Sequence, residues 1–367
     1  MPSLFKISAM NDTVSSAFNS QNTFPSNSTD SAISRRFRRI GLITIAAVYF
    51  LILVGGIVRA SGAGMGCPDW PTCFGRWIPP TDESQLPPNY HEIYAERGYA
   101  DTAFNPLKTW TEYVNRLIGV SIGVLILLTL VYSIPYLKRD RTVFFLALSV
   151  FLLVGFQGWL GSAVVASNLR PVMITAHMVM AFVIVCLLIY AIARSQQDIL
   201  RKLKTGTLSP RFKTVLAVAM GMTLLQITMG TQIRESVDVI ATIFDQAERH
   251  LWREKFPIIF YIHRSFSSVI LFTNLWLVWN LIRRLKRGHL LRNFGIALGA
   301  LVIAAIGTGV TLDRLGFPAF VQPIHLVLAN LIFGTQFFLF IALRYSKGPR
   351  VRERLGIDEP VSGIGAS

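Results

Sequence analysis

Charged residues are scarce in this chain. Only 15% of its 367 residues are Asp, Glu, Lys or Arg, whereas 52% are hydrophobic. A soluble domain of this length needs a charged surface that such a composition does not supply, so a soluble protein is excluded. Acidic residues are the rarer charge, at 20 against 36 basic residues, and cysteine occurs only three times. The chain is instead rich in apolar sequence, which favours a membrane protein.

Eight apolar runs have about the length, roughly 20 residues, that spans a bilayer. Backbone groups in lipid must pair within their own segment, and the runs do not alternate polar and apolar residues as strands of a membrane barrel would. All eight are therefore predicted as membrane-spanning helices, and the fold class is all-α. The runs cover residues 40–60, 114–135, 143–165, 171–193, 214–233, 257–282, 294–312 and 323–344.

The positive charge is distributed in a way that predicts topology. Lys and Arg cluster before the first run, in every second loop and after the last run. By the positive-inside rule, both termini and these loops are predicted to face the cytoplasm. The formal net charge of +16 is thus explained without a nucleic acid partner. The clusters are Arg35–Arg39, Lys138–Arg141, Arg194–Lys213, Arg283–Arg292 and Arg344–Arg354.

One polar tail is expected before the membrane domain in the sequence and another after it, both in the cytoplasm. Residues 1–34 are rich in Ser and Asn and lack the apolar core of a cleaved signal peptide, so a disordered cytoplasmic tail is expected there. A second cytoplasmic tail is expected over residues 346–367.

The segment 61–112 is predicted as a loop on the outer, oxidising side of the membrane, and it contains Cys67 and Cys73. The pair can close a small disulfide ring. Two roles remain open for it, a staple within the loop or a redox-active pair that passes electrons to a site below. Cys186 lies in the middle of an apolar run and is expected to serve packing.

The chain contains an internal repeat. EYVNR in the second run matches FYIHR in the sixth, and ITAHMVMA in the fourth matches QPIHLVLA in the eighth. Tyr113 and Tyr261, Arg116 and Arg264, Gly161 and Gly309, and His177 and His325 are all separated by 148 residues. We therefore predict two parallel four-helix repeats, over residues 35–200 and 201–345.

His263 and His325 are predicted at the same depth, near the outer ends of the sixth and eighth helices. A single histidine in a membrane helix is more often a packed polar group. Two at matched depth within a four-helix bundle favour ligation of haem iron by both imidazoles.

Several arginines outside the cytoplasmic clusters are predicted near this same outer level. Arginine binds carboxylates through a bidentate fork, which makes these side chains candidates to bind haem propionates. The alternative is that they only extend to the membrane–water interface. Propionate binding is favoured for Arg116 and Arg264, which follow ligand positions directly. The others are Arg59, Arg234, Arg170 and Arg314.

The two repeats differ where chemistry is expected. The first repeat has Asn115 at the position of His263 and Glu112 at the position of Phe260. It therefore offers one histidine ligand, His177, with an amide and an acid opposite. Glu112 could take part in chemistry at this place. Alternatively, it forms an ion pair with Arg116, which lies four residues further along the helix.

These motifs resemble the haem A synthase family of bacterial and mitochondrial inner membranes. The resemblance covers about residues 40–345 and rests on GGIVRASGAGMGC, EYVNR, QGWLGSAVV, QITMGTQIRES, YIHRS and PIHLVLAN. It implies an eight-helix protein of two four-helix halves. It also implies an oxidoreductase that converts a ring methyl group of haem O, by way of an alcohol, to the formyl group of haem A.

The resemblance also assigns residues. It implies a resident haem b on His263 and His325, the substrate haem O near His177, and Glu112 as the family's essential acid. Cys67 and Cys73 match an outer cysteine pair found in one branch of the family. The family commonly has histidine at the position of Asn115, so ligation of the substrate haem by His177 alone is expected here.

The resemblance further implies the cell inner membrane, with the active site facing outward. Haem O synthase and the assembly of cytochrome oxidase are the implied partners, together with membrane lipid, and a homo-oligomer is compatible with it. Two other functions fit parts of the pattern. A dihaem electron-transfer cytochrome would not need Glu112, and a transporter would place polar groups at the midplane of the bilayer rather than at its outer edge.

Overall fold

The computed structural model describes residues 28–243, 252 and 255–346. Over these ranges it contains eight helices long and apolar enough to cross a membrane, and no β-strand. The all-α prediction is confirmed. The long helices are α1 (Ser28–Ala60), α2 (Pro106–Ser133), α3 (Arg141–Ala166), α4 (Pro171–Ser195), α5 (Phe212–Ile243), α6 (Ile258–Arg284), α7 (Leu290–Arg314) and α8 (Val321–Tyr345).

The largest differences from the predicted boundaries are at the starts of α1 and α2 and at the end of α5. Helix α1 begins at Ser28, so disorder over residues 1–34 is wrong for residues 28–34, while residues 1–27 and 347–367 of the two predicted tails lie outside the described residues. Helix α2 begins at Pro106, so the loop predicted over 61–112 ends at Asn105 and Glu112 lies within the helix.

Local chemistry explains the early start of α2. The side chain of Asn105 accepts a hydrogen bond from the backbone N–H of Lys108, and Pro106 occupies the first helical position, where its missing N–H costs nothing. The apolar stretch used for the prediction begins only after this polar first turn. Capping residues, rather than hydropathy, therefore define the start of the helix.

Helix α5 extends to Ile243, ten residues beyond the predicted end of its apolar run. Its last turns carry Ile233, Val237 and Ile240, which pack with Trp252 and Phe256 in a buried cluster. This packing makes the extension amphipathic, whereas the prediction required a continuously apolar run. The extension carries Asp238, which is important for the site described below.

Each half of the chain closes as a ring of four helices. Helix α1 packs against α2, α2 against α3, α3 against α4, and α4 against α1, and α5–α8 follow the same cyclic order. The two rings meet mainly where α8 contacts α1 and α4. Small residues allow the close approach, since a Cβ on Gly56 of α1 would lie 2.8 Å from Cβ of Pro323 of α8.

One end of the molecule carries the long segment between α1 and α2, residues 61–105, and is called the loop end here. The segments that join α3 to α4 and α7 to α8 lie at the same end. The largest apolar core, which includes Leu216, Leu281, Leu298 and Leu339, lies towards the opposite end. The helices are thus packed tightly at one end and leave space near the other.

Candidate functional site

A large cavity occupies this space towards the loop end. Its volume is about 2010 Å³, and residues of both halves line it. Sites for one small ligand usually enclose roughly 300–1,000 Å³, so the space suits more than one ligand or an unusually large one. His177, His263 and His325 all line the cavity.

His263 and His325 face each other across the second half. The centres of their rings are 6.5 Å apart and the ring planes are inclined by 62°. Thr308 Oγ1 lies 2.9 Å from Nδ1 of His325, and Gln226 Nε2 donates to the backbone carbonyl of His263 at 3.0 Å. Thr308 thus contacts the imidazole of His325, whereas Gln226 holds the backbone at His263. Among the described residues, Nδ1 of His263 is buried without a hydrogen-bond partner.

His177 occupies the corresponding place in the first half. Gln157 Nε2 donates to its backbone carbonyl at 3.0 Å, as Gln226 does for His263. Asn115 lines the same half of the cavity. Among the described residues, neither Nδ1 of His177 nor Oδ1 of Asn115 has a hydrogen-bond partner, although both atoms are buried. Such atoms are costly unless a ligand satisfies them.

A glycine on the preceding helix packs against each of these four positions. A Cβ at Gly161, Gly230 or Gly309 would lie 3.3–3.6 Å from Cε1 of the facing histidine, and one at Gly55 would lie 3.9 Å from Oδ1 of Asn115. The four helix pairs therefore repeat one local arrangement, and Asn115 takes the place that histidine takes in the other three. The sequence did not lead us to predict this packing of a glycine against each histidine and against Asn115. Its signal is the Gln-x3-Gly spacing shared by QGWLG in α3 and QITMG in α5.

These residues fit a metal-bearing planar group such as haem. Two imidazoles that bind one metal ion from opposite sides each place a nitrogen about 2 Å from it. Ring centres 6.5 Å apart leave room for that arrangement. In the first half, a buried imidazole without a hydrogen-bond partner within the described chain faces the same cavity.

Glu112 and Arg116 form a buried ion pair beside the first half of the cavity. The distance from Arg116 Nη2 to Glu112 Oε1 is 2.5 Å, and the two side chains are 13% and 5% exposed. The other carboxylate oxygen, Oε2, accepts from the backbone N–H of Cys67 at 2.9 Å. The ion pair that the sequence left as an alternative is therefore present.

The guanidinium of Arg116 donates hydrogen bonds to several residues of the outer loop. Besides Glu112, it donates to the carbonyls of Asp69 at 2.8 Å, Thr72 at 2.9 Å and Cys67 at 3.2 Å. These contacts occupy four of the five N–H donors of the guanidinium, so most of its hydrogen bonds go to Glu112 and the loop rather than to the propionate predicted from the sequence. Sequence reasoning could not foresee this, since the three carbonyls come from a loop whose path the sequence does not reveal.

Cys67 and Cys73 form a disulfide and both are fully buried. Asp69, inside the ring, stabilises the turn that follows it. Its carboxylate accepts hydrogen bonds from the backbone N–H groups of Phe74 at 2.6 Å and Gly75 at 2.9 Å. Trp70, Pro71 and Trp77 of this loop line the cavity. The ring therefore covers the first half of the cavity and supplies the N–H that holds Glu112.

Arg59 and Arg234 share one carboxylate at the loop end. Arg59 Nη2 lies 2.9 Å from Asp238 Oδ2, and Arg234 Nη1 lies 2.6 Å from Asp238 Oδ1. All three residues line the cavity where α1 meets α5. Two guanidinium groups face one carboxylate, so their N–H donors outnumber its oxygen acceptors and could also bind an anionic group of a ligand.

Arg264 also lines the cavity, but it is more exposed than Arg116. Its Nη1 lies 3.5 Å from Oδ2 of Asp313, and 46% of its side chain is accessible. The residues at equivalent repeat positions, Arg116 and Arg264, thus have different surroundings. Arg264 is nearly half-exposed and pairs with Asp313, whereas Arg116 is buried and bonds the outer loop.

The disulfide predicts a simple labelling pattern. In denatured protein from oxidising growth, one thiol per chain, that of Cys186, is expected to react before reduction and three after it. Mass spectrometry after alkylation measures both numbers. Three reactive thiols before reduction would contradict the disulfide.

Replacing Arg116 should destabilise the protein more than replacing its repeat counterpart. Arg116→Gln leaves Glu112 buried without its cation, which typically costs about 3–5 kcal/mol, whereas Arg264→Gln removes a half-exposed pair worth about 1 kcal/mol or less. Thermal unfolding of the two purified variants in detergent compares them. Equal, small decreases in the midpoint would show that Arg116 does not hold the loop.

The fold and the cavity define an integral membrane protein of eight helices with a histidine-lined cavity between two four-helix rings. The chain belongs to the COX15-CtaA family, described as cytochrome oxidase assembly protein, whose model matches residues 38–337. The fold, the histidines and the family point to the same broad class of membrane protein.

Individual relatives are about 30% identical to this chain over roughly half of its length. It is 31% identical over 185 residues to a protein named Heme A synthase from Shewanella oneidensis, covering 50% of this chain and 53% of the relative. It is 30% identical over 184 residues to a Heme A synthase from Nitrosomonas eutropha, covering 44% and 51%. The chain spans about half the length of these curated relatives.

Proposed function

We propose that this protein is a haem A synthase, an oxidoreductase that converts the ring methyl group of haem O, through the alcohol, to the formyl group of haem A. The observation that carries the proposal is the inequality of the two halves. One half has two histidines facing each other. The other has one histidine, an amide and a buried carboxylate on the wall of the same cavity. The names of the relatives support the same reaction.

The second half would hold the resident cofactor, haem b, between His263 and His325. Haem with two histidine ligands supplies electron transfer when bound. Thr308 would orient the imidazole of His325 and Gln226 would hold the backbone at His263, and the neighbouring Arg264, Arg59 and Arg234 offer charge for the propionates. The protein's part at this place is to bind and orient the group.

The first half would hold haem O as substrate, with His177 as its ligand. Asn115 faces the cavity from α2, and an amide is a poor ligand for iron compared with imidazole. We infer that His177 alone ligates the substrate, and that Asn115 occupies the side on which a second histidine would otherwise bind.

Glu112 is proposed as the group that accepts protons during the oxidation. Converting a methyl to a formyl group adds one oxygen atom and passes four electrons to an external acceptor, and when water supplies the oxygen it also releases four protons. A fixed carboxylate beside the reacting carbon can accept these protons in turn as general base. The N–H of Cys67 and the guanidinium of Arg116 fix the orientation of this carboxylate. The disulfide ring contributes by holding that N–H in place and by covering the cavity.

The proposed setting is the cell inner membrane, with the loop end facing outward and both termini in the cytoplasm. The basic clusters at the opposite end support this orientation. Haem O synthase would supply the substrate, and assembly of cytochrome oxidase would use the product. The cavity is lined by several spanning helices, so both haems would lie at the level of the membrane.

Expression in a host that makes haem O but has no haem A synthase tests the proposal. Haem extracted from the membranes and separated by chromatography should contain haem A when this protein is present. A host with a His177→Ala variant provides the control. Haem O alone, with the wild-type protein present in the membrane at normal amount, would reject the proposed reaction.

Asn115→His should change the spin state of the substrate haem. A histidine at this position restores the fourth member of the histidine set and adds a second imidazole opposite His177. We expect added ferric haem to bind the variant in a low-spin form and the wild type in a high-spin form. Electron paramagnetic resonance distinguishes the two, and a low-spin signal from the first-half site of the wild type would contradict single ligation.

A further inference from the structure

A second, smaller pocket lies at the loop end beside the first-half cavity. Its volume is about 350 Å³, and it is lined by the start of α2, the outer loop and Asn168 between α3 and α4. Gly62 and Met65 line both this pocket and the large cavity. We call it the outer pocket. It adjoins the space assigned above to the substrate.

The charge of the outer pocket is positive. Among the residues that line it, Arg97 and Lys108 carry charge and none is Asp or Glu. Arg97 donates to the carbonyl of Ala166 at the end of α3. The Nζ of Lys108 lies 4.0 Å from the place a Cβ on Gly62 would take, so its ammonium group lies against the glycine segment that lines both spaces.

The chain is built closely around this position. A Cβ on Gly66 would lie 2.4 Å from the backbone carbonyl of Lys108, so only glycine allows the segment 62–66 to pack on the first turn of α2. Thr109 Oγ1 donates to the carbonyl of Gly66 at 2.8 Å. Tyr99 donates to the carbonyl of Met65 at 2.7 Å, and burial raises the pKa of Tyr99 above its ordinary value, so the phenol remains a donor. The wall next to Lys108 is therefore fixed.

Because Arg116 bonds the outer loop, another cation is needed to bind a propionate in the first half of the cavity. A haem carries two propionates, and the arginine expected to bind them in the first half is used by the disulfide loop. Lys108 lies two turns earlier on the same helix, and its ammonium group has a pocket without acidic neighbours. A carboxylate is the anionic group that the neighbouring cavity would present to it.

We propose that the outer pocket binds a propionate carboxylate of the porphyrin held in the first half of the cavity, with Lys108 as its counter-ion. This rests on the proposed function, because it needs a porphyrin bound near His177. It makes Lys108 a determinant of substrate binding and orientation, since it would fix which edge of the ring faces the loop end.

Comparing an acid with its ester tests the proposal. Purified full-length protein that retains its haem b is titrated, in detergent, with ferric protoporphyrin IX and with its dimethyl ester, and binding is followed by absorbance. Wild type and the variants Lys108→Gln and Lys108→Arg are compared. Lys138→Gln is the control, because it removes an exposed lysine near the opposite end. The ratio of the two dissociation constants cancels effects common to both ligands.

Lys108→Gln is expected to weaken binding of the diacid by about three- to fivefold, the range for an accessible ion pair, and to leave the ester unchanged. Lys108→Arg and Lys138→Gln should keep the wild-type ratio. An unchanged ratio in Lys108→Gln, or an equal loss for acid and ester, would overturn the role of Lys108 while leaving the proposed function standing. Failure of wild type and His177→Ala to differ in binding either porphyrin would overturn both.

Discussion

His263→Ala and His325→Ala variants are each expected to lose the bound low-spin haem b, down to the background of a membrane preparation without the protein. The two rings lie 6.5 Å apart and face one cavity, so either substitution removes one of two axial ligands. Residues of the neighbouring helices contact both histidines and hold them at these positions. Absorbance and electron paramagnetic resonance spectra of the purified variants measure the loss.

His289→Ala is the matched control. His289 lies at the opposite end of the molecule, where its Nδ1 accepts from the backbone N–H of Leu291 and caps α7. Burial lowers the pKa of His289, so it is a neutral histidine with a structural contact. Its loss should cost about 1 kcal/mol of stability and no haem. If both His263→Ala and His325→Ala kept a normal low-spin spectrum at normal protein amount, the assignment of the resident haem would be wrong.

Glu112→Gln is expected to stop haem A formation while haem b is retained. The amide oxygen can still accept from the backbone N–H of Cys67 or from Arg116, so the loop stays in place. The variant loses the carboxylate that accepts protons, a contribution usually worth about 10²–10⁴ in rate. We expect haem O, or the alcohol intermediate, to accumulate in the membranes. Chromatography of the extracted haems measures all three species.

The same variant distinguishes catalysis from a purely structural ion pair. If Glu112 only paired with Arg116, Glu112→Gln would retain most of the haem A output, since a neutral acceptor preserves much of the contact. Glu112→Ala should lower both output and thermal stability, because it leaves the Arg116 charge without its partner. Near-normal haem A from Glu112→Gln would therefore remove Glu112 from the proposed chemistry.

Hydropathy was sufficient to predict the eight helices, because a segment in lipid has few alternatives to a helix. It placed the helix ends less well where a polar or amphipathic turn extends an apolar run. Helix α2 starts at the Asn105 cap, and α5 continues through Asp238. Since Asp238 lies beyond the predicted end, its pairing with Arg59 and Arg234 was not foreseen.

The histidine positions were predictable because the chain repeats, and the structure places all three on one cavity. Partners across the loop were not predictable from spacing. Arg116 was expected to face a ligand, yet four oxygen atoms of Glu112, Cys67, Asp69 and Thr72 surround its guanidinium. Such contacts depend on the path of residues 61–105, which local sequence patterns do not specify.

The predicted ion pair of Glu112 and the predicted disulfide of Cys67 and Cys73 are connected in the structure. Glu112 pairs with Arg116 and also receives the N–H of Cys67, a residue of the disulfide ring. The ring therefore stabilises the loop and at the same time positions the carboxylate proposed to act on the substrate. A staple need not be separate from the proposed active site, because residues of the ring line the same cavity.

The haem composition of the purified wild-type protein, taken from cells that make haem O, tests the central claim most directly. Pyridine haemochrome spectra and chromatography, normalised to the amount of polypeptide, give the number and type of haems per chain. We expect one haem b per chain, in the second half, together with haem O or haem A in the first half. Two haem b per chain with neither haem O nor haem A, as in an electron-transfer cytochrome, would contradict it.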